Sequence, residues 1–178
     1  MDIKREEIYP NCQTINRLVK VGGHTKSQLI QNLKQGSILL NEFAEKLFAD
    51  DKFTVSDEKY SVSTVELKMR NLGYSEGATI PQIYKKANQL GLELCPLELG
   101  PYLRIEYLDQ PEGNSNTYQQ NKAPYGSITV ASKILTDDHN FPKGFYLRKI
   151  DGTLWLRGYV CDDTHIWEPD DHFIFVKQ

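Results

Sequence analysis

Two stretches of the C-terminal third concentrate side chains that can do chemistry. Cys161-Asp162-Asp163-Thr164-His165 continues to Asp170-Asp171-His172. Thiolate, imidazole and carboxylate are zinc ligands, and hard carboxylates suit calcium or manganese. Cys161, Asp162, Asp163, His165 and His172 are therefore candidate metal ligands, and a metal held there could assist a hydrolysis. Their order matches neither an EF-hand nor HExxH. Pro169 and the Asp pairs also suit a solvated turn before a last strand.

The second stretch is Phe145–Ile150, then Asp151-Gly152, then Thr153–Gly158. A two-residue Asp-Gly between such runs predicts a type I′ hairpin. Its register puts Ile150 opposite Thr153, Arg148 opposite Trp155 and Tyr146 opposite Arg157. Leu147 then faces Leu156, and Lys149 faces Leu154, on the other side. Tyr146, Arg148, Trp155 and Arg157 thus share one face. Interleaved cations and aromatics can stack bases and pair phosphates, as single-strand nucleic-acid binders do. The same residues also stabilise an exposed sheet face as cross-strand pairs, by about 0.2–1 kcal/mol each.

Two further constellations carry weaker chemistry. Glu98 and Glu106 near Arg104 could do acid–base work if they met in a cleft. A salt bridge fixing the 96–101 turn to the next strand is the simpler reading. The segment around Gly36 mimics a helix-turn-helix, but residues 38–48 would present Asn41, Glu42, Glu45 and Lys46 to a groove. Two carboxylates facing phosphate are unfavourable.

The elements that must position these groups are visible as periodicities. Residues 1–24 show none and read as a loosely attached segment. Thr25 with Gln28 forms a capping box, followed by Leu29, Ile30 and Leu33 at helical spacing. Gly36 stops that helix. Ser37 can cap the next, which carries Leu40, Phe43, Ala44, Leu47 and Phe48 on one face. Val65, Leu67 and Met69 alternate with charged residues as in an antiparallel strand. Thr79 and Gln82 form a second capping box, opening a helix whose apolar face is Ile80, Ile83, Tyr84, Ala87 and Leu90. Leu103, Ile105 and Tyr107 alternate with Arg104 and Glu106 and read as a strand. Residues 109–126 read as one long loop. Residues 127–134 and the segment around Phe173 and Phe175 read as further strands. The expected fold is a single α+β domain spanning 1–178. It has an antiparallel sheet of five or six strands, with the N-terminal helical hairpin and one further helix packed on it.

Gly77-Ala-Thr-Ile80, Leu94-Cys-Pro-Leu-Glu-Leu-Gly-Pro-Tyr-Leu-Arg104, Pro142-Lys-Gly-Phe-Tyr-Leu-Arg148 and Leu154-Trp-Leu-Arg-Gly-Tyr159 carry a resemblance. Over residues 20–178 the chain resembles a family of short bacterial proteins of uncharacterised activity, some described as helicases. The resemblance implies no catalytic residues. A helicase needs a phosphate-cradling GxxxxGK(S/T) loop, and the chain has none.

Composition narrows the classes further. Lys and Arg number 21 against 24 Asp and Glu, for a net charge of -3. With a pI near 5.8, a dedicated duplex-DNA binder is disfavoured. The three cysteines are odd in number and widely spaced, which is neither a disulfide framework nor a metal knuckle. Reduced thiols fit a cytoplasmic protein. No apolar run of membrane-spanning length and no secretory leader is seen. Gly73 and Gly77 lack the three-glycine spacing of a dinucleotide loop, so no cofactor is expected. The reading is a non-catalytic cytoplasmic binding or accessory protein for a protein or small ligand, with nucleic acid disfavoured. The alternatives are a metal-assisted hydrolase using the Cys161–His172 region, and single-stranded nucleic-acid binding through the 145–158 hairpin.

Overall fold

The computed structural model describes residues 7–113 and 126–178. Most of the expected 109–126 loop and the first six residues lie outside them. The expected antiparallel sheet of five or six strands is replaced by an eight-stranded mixed sheet, curled as a half-barrel with four helices. The α+β class holds; the strand count and purely antiparallel pairing do not.

The strands are β1 (Ile15–Val21), β2 (Leu39–Leu40), β3 (Tyr60–Lys68), β4 (Leu92–Glu93), β5 (Ile128–Val130), β6 (Gly144–Ile150), β7 (Thr153–Tyr159) and β8 (His172–Lys177). Their order is β1-β3-β8-β5-β6-β7-β2. β5 runs parallel to β8, and β2 parallel to β7. β4 takes the edge of β8 beyond the end of β5, pairing Leu92 with Lys177. β8 is therefore central. Phe173, Ile174 and Phe175 are all fully buried, because both faces of this strand are covered.

Three helices cover one face: α1 (Lys26–Gln35), α2 (Glu42–Ala49) and α4 (Leu99–Glu106). Their core joins Leu29, Leu33, Leu47, Phe48 and Leu103 to Phe145, Leu147, Leu156 and Ile174 of the sheet. One helix, α3 (Ile80–Gln89), covers the other face, where Ile83 and Ala87 meet Val65, Leu67, Phe173 and Phe175. A 3-10 turn, Met69–Leu72, and Trp167 complete that second core.

Both expected capping boxes form. Thr25 Oγ1 accepts from the Gln28 amide, and the Gln28 side chain accepts from the Thr25 amide. Thr79 and Gln82 do the same at α3. Asn41, not Ser37, caps α2, so that helix starts at Glu42. Ser37 instead adopts a left-handed φ of 57°. The 103–107 alternation is a helix, not a strand. Residues 99–104 are buried all round α4, so no helical stripe marks it. β1 lies within the segment read as loosely attached and without periodicity, and β2 and β4 are two residues each, too short for a period to show.

Candidate functional site

The 145–158 hairpin forms with the expected register: Arg148 opposite Trp155, Tyr146 opposite Arg157, Leu147 opposite Leu156. Asp151 and Gly152 have φ of 51° and 75°, both positive as a type I′ turn requires. Strand alternation puts Leu147 and Leu156 into the three-helix core. Tyr146, Arg148, Trp155 and Arg157 go to the opposite face, where all four are half-buried. The Arg157 guanidinium sits 4.3 Å from the Trp155 ring centroid, and its Nη1 donates to Tyr146 Oη at 3.4 Å. Burial and the neighbouring Arg157 charge pull the Arg148 guanidinium below its ordinary pKa. The Nε atoms of both arginines are buried without a hydrogen-bond partner, and neither side chain forms an ion pair among the described residues.

The same face continues to Tyr159, opposite Gly144. Its ring lies 6.4 Å from that of Tyr146 and edge-on to Trp167 at 5.6 Å. Here α3 stands off from the sheet and leaves a cavity of about 240 Å³. Its apolar walls are Ile80, Pro81, Tyr84, Leu94, Ile134 and Tyr159, with Cys161 beside them. Lys133, Lys143 and Asp163 also line it. The buried Lys143 ammonium is already engaged by the carbonyls of Thr136 and Asp138, at 3.3 and 3.2 Å. Tyr159 Oη is buried against the Tyr84 phenol, its hydrogen-bond partner, and Ser132 Oγ, outside the cavity lining, is buried without one. A Cβ on Gly144 would lie 2.8 Å from that Ser132 oxygen, so only glycine leaves it room.

Burial pushes the Cys161 thiol up to about 11, against the pull of Lys143, so it is protonated at neutral pH and a poor nucleophile. Burial likewise pushes the Tyr84 phenol up to about 12 and Tyr159 well above its usual value. These groups stay neutral and offer hydrogen bonds.

The structure places the other sequence candidates apart. Among the described residues no group of three or more His, Cys, Asp or Glu is placed to hold a metal ion. Cys161 and Asp163 line the cavity. Asp162 Oδ1 accepts from the Thr164 amide and hydroxyl, which hold its carboxyl below the usual range. The His165 ring lies edge-on to Trp167 at 5.2 Å. His172 Nδ1 is 2.7 Å from Glu66 Oε2, and Arg17 Nη1 is 2.8 Å from Glu66 Oε1.

Glu98, Arg104 and Glu106 do not converge either. Glu98 accepts from the Ser56 amide and the Tyr60 hydroxyl, each at 2.8 Å. Arg104 points under the hairpin, donating to Gln110 Oε1 at 2.5 Å and to the Trp155 carbonyl at 3.3 Å. Glu106 is exposed. Asn41, of the helix pair, is spent on Gly158: its Nδ2 donates to the Gly158 carbonyl at 3.0 Å, and its Oδ1 accepts from the Gly158 amide at 2.9 Å.

The cavity itself was not foreseen from sequence. Tyr84 reads there as part of the apolar face of α3, and Leu94, Lys143 and Tyr159 lie tens of residues away. Among the described residues no helix is long and apolar enough to cross a membrane. Neither family models, nor curated proteins, nor solved structures show a match to this chain.

Proposed function

We propose that this chain is a non-catalytic binding protein for a small, largely apolar ligand, held in the cavity between α3 and β7. One observation carries the reading. A space of about 240 Å³ has apolar walls, and two neutral phenols, on Tyr84 and Tyr159, line it. The two phenols bond each other, and a phenol oxygen both donates and accepts, so a ligand atom arriving there can gain a further hydrogen bond. The volume exceeds the ~150 Å³ that accepts benzene in an engineered apolar core, so a one- or two-ring compound is the right scale. Sites of this kind combine apolar walls with a few convergent polar groups. Neutral thiol and phenols, with Lys143 tied to carbonyls, supply recognition but no activated nucleophile or base.

The test is a thermal-shift screen of small aromatic and alicyclic compounds against wild type, Leu94→Trp and Tyr159→Phe. Leu94 is 36% exposed, so a larger side chain can fill the cavity mouth without overpacking a core. Hits should raise the wild-type melting temperature, lose their effect in Leu94→Trp, and weaken in Tyr159→Phe where they carry an acceptor or donor. A panel whose shifts are the same in all three proteins overturns the reading.

A further inference from the structure

We infer that the ligand of this cavity is an amphipathic anion: its ring body enters between α3 and β7, and its acidic group lies against Arg157 and Arg148. The inference rests on the cavity reading above and adds the chemical class of the occupant.

The argument is positional. Trp155, Arg157 and Tyr159 alternate along β7, and Gly144, Tyr146 and Arg148 pair opposite them on β6. All point to the sheet face that holds the cavity. At about 3.3 Å per residue, Arg157 lies one side-chain repeat, about 7 Å, from the cavity wall at Tyr159, and Arg148 about twice as far. The ring of Tyr146 bridges the interval, 6.4 Å from Tyr159 and hydrogen-bonded to Arg157. Cavity and arginines therefore form one continuous strip.

Among the described residues no ion pair compensates the charge on that strip. Arg157 is stacked on Trp155 and steered by Tyr146, with no ion pair to a carboxylate among the described residues. Arg148 feels Asp151 of the turn, but no ion pair joins them. Both Nε atoms are desolvated without an acceptor. A guanidinium fork is built for carboxylate, sulfonate or phosphate, and prior stacking reduces the ordering cost of binding one. Lys133 and Asp163 bring one charge of each sign to the cavity lining, and Lys143 is occupied by carbonyls. The desolvated guanidinium Nε atoms lie on the arginine side, which orients the ligand.

The experiment titrates naphthalene-2-sulfonate and its uncharged counterpart naphthalene-2-sulfonamide by amide chemical-shift changes. The proteins are wild type, Arg148→Gln/Arg157→Gln, Arg148→Lys/Arg157→Lys and Leu94→Trp. Wild type should bind the sulfonate about tenfold more tightly than the sulfonamide. The Gln pair should lose that margin and leave the sulfonamide unchanged. The Lys pair, which keeps charge without the fork, should restore part of it. If the Gln pair binds both probes as wild type does, the anion inference fails while the cavity reading stands. If neither probe binds wild type, or Leu94→Trp binds both unchanged, the cavity reading fails and takes the inference with it.

Discussion

The side-chain amide of Asn41 bonds both the backbone N–H and the carbonyl of Gly158, across 117 residues of sequence. The Asn41 Oδ1 also accepts from the Ala44 amide at 2.9 Å, so one side chain caps α2 and docks it on β7. The helix comes so close that a Cβ on Gly158 would lie 2.7 Å from the Phe43 carbonyl carbon. Asn41→Ala removes the cap and both strand contacts. A lost cap costs about 0.5–2 kcal/mol, and the stranded Gly158 groups place this case at the upper end or above. Gly158→Ala is expected to be the more damaging, because only backbone stands in the way. Urea unfolding of the two variants measures both, and a loss under about 0.5 kcal/mol for Asn41→Ala contradicts the docking role.

Arg104 is a wholly buried cation whose partners are all neutral oxygens. Its fork reaches Gln110, the carbonyls of Trp155 and Arg148, and the Tyr107 carbonyl. Burial pulls the guanidinium down to about 10. It ties α4 to the hairpin from beneath, while Gln110 extends the link to the Leu147 carbonyl. Arg104→Ala leaves these acceptors unpaired and opens a void, with an expected loss of about 3–5 kcal/mol. Arg104→Lys keeps one charge but cannot span the acceptors, and should fall between. Equilibrium unfolding of the two variants checks the order; equal stability of Arg104→Ala and wild type excludes this account.

Two carboxylates give stability opposite slopes with pH. Burial pushes Asp171 up to about 6, from an ordinary value of 3.8. Between those limits the folded chain keeps a proton that the unfolded chain has released, so this group favours folding as pH falls from 6 toward 4. Burial also pushes Glu66 upward, but hydrogen bonds from His172 and Arg17 outweigh it and hold the carboxyl below its usual value. Its stabilisation is present above the unfolded pKa and is lost as pH falls through the lower folded one. Melting temperature should therefore rise on acidification to about pH 4 and drop below it. Asp171→Asn should flatten the rise. Glu66→Gln should lower the neutral-pH melting temperature and soften the acid drop. An unchanged profile in both variants rejects these assignments.

Local signals in the chain carried the hairpin and two helix starts. Asp151-Gly152 determines a turn type, the turn determines the register, and the register puts Tyr146, Arg148, Trp155 and Arg157 on one face. Thr25/Gln28 and Thr79/Gln82 close their capping boxes within four residues, so nothing distant can alter them. Where burial is one-sided, periodicity reports it, as along α3.

Tertiary structure decided the rest, because the deciding contacts are long-range. α4 alternates in hydropathy like a strand, yet it is a helix buried on every side with a cation inside it. β2 and β4 exist only through their partners β7 and β8. The parallel pairings β5–β8 and β2–β7 leave no trace in local pattern. His172 belongs to a Glu66–Arg17 cluster, although in sequence it sits among acidic groups and histidines. The cavity arises where α3 parts from β7, from residues as distant as Ile80, Leu94 and Tyr159. A strand face is encoded in every second residue, whereas a space between two elements is encoded only in how they pack.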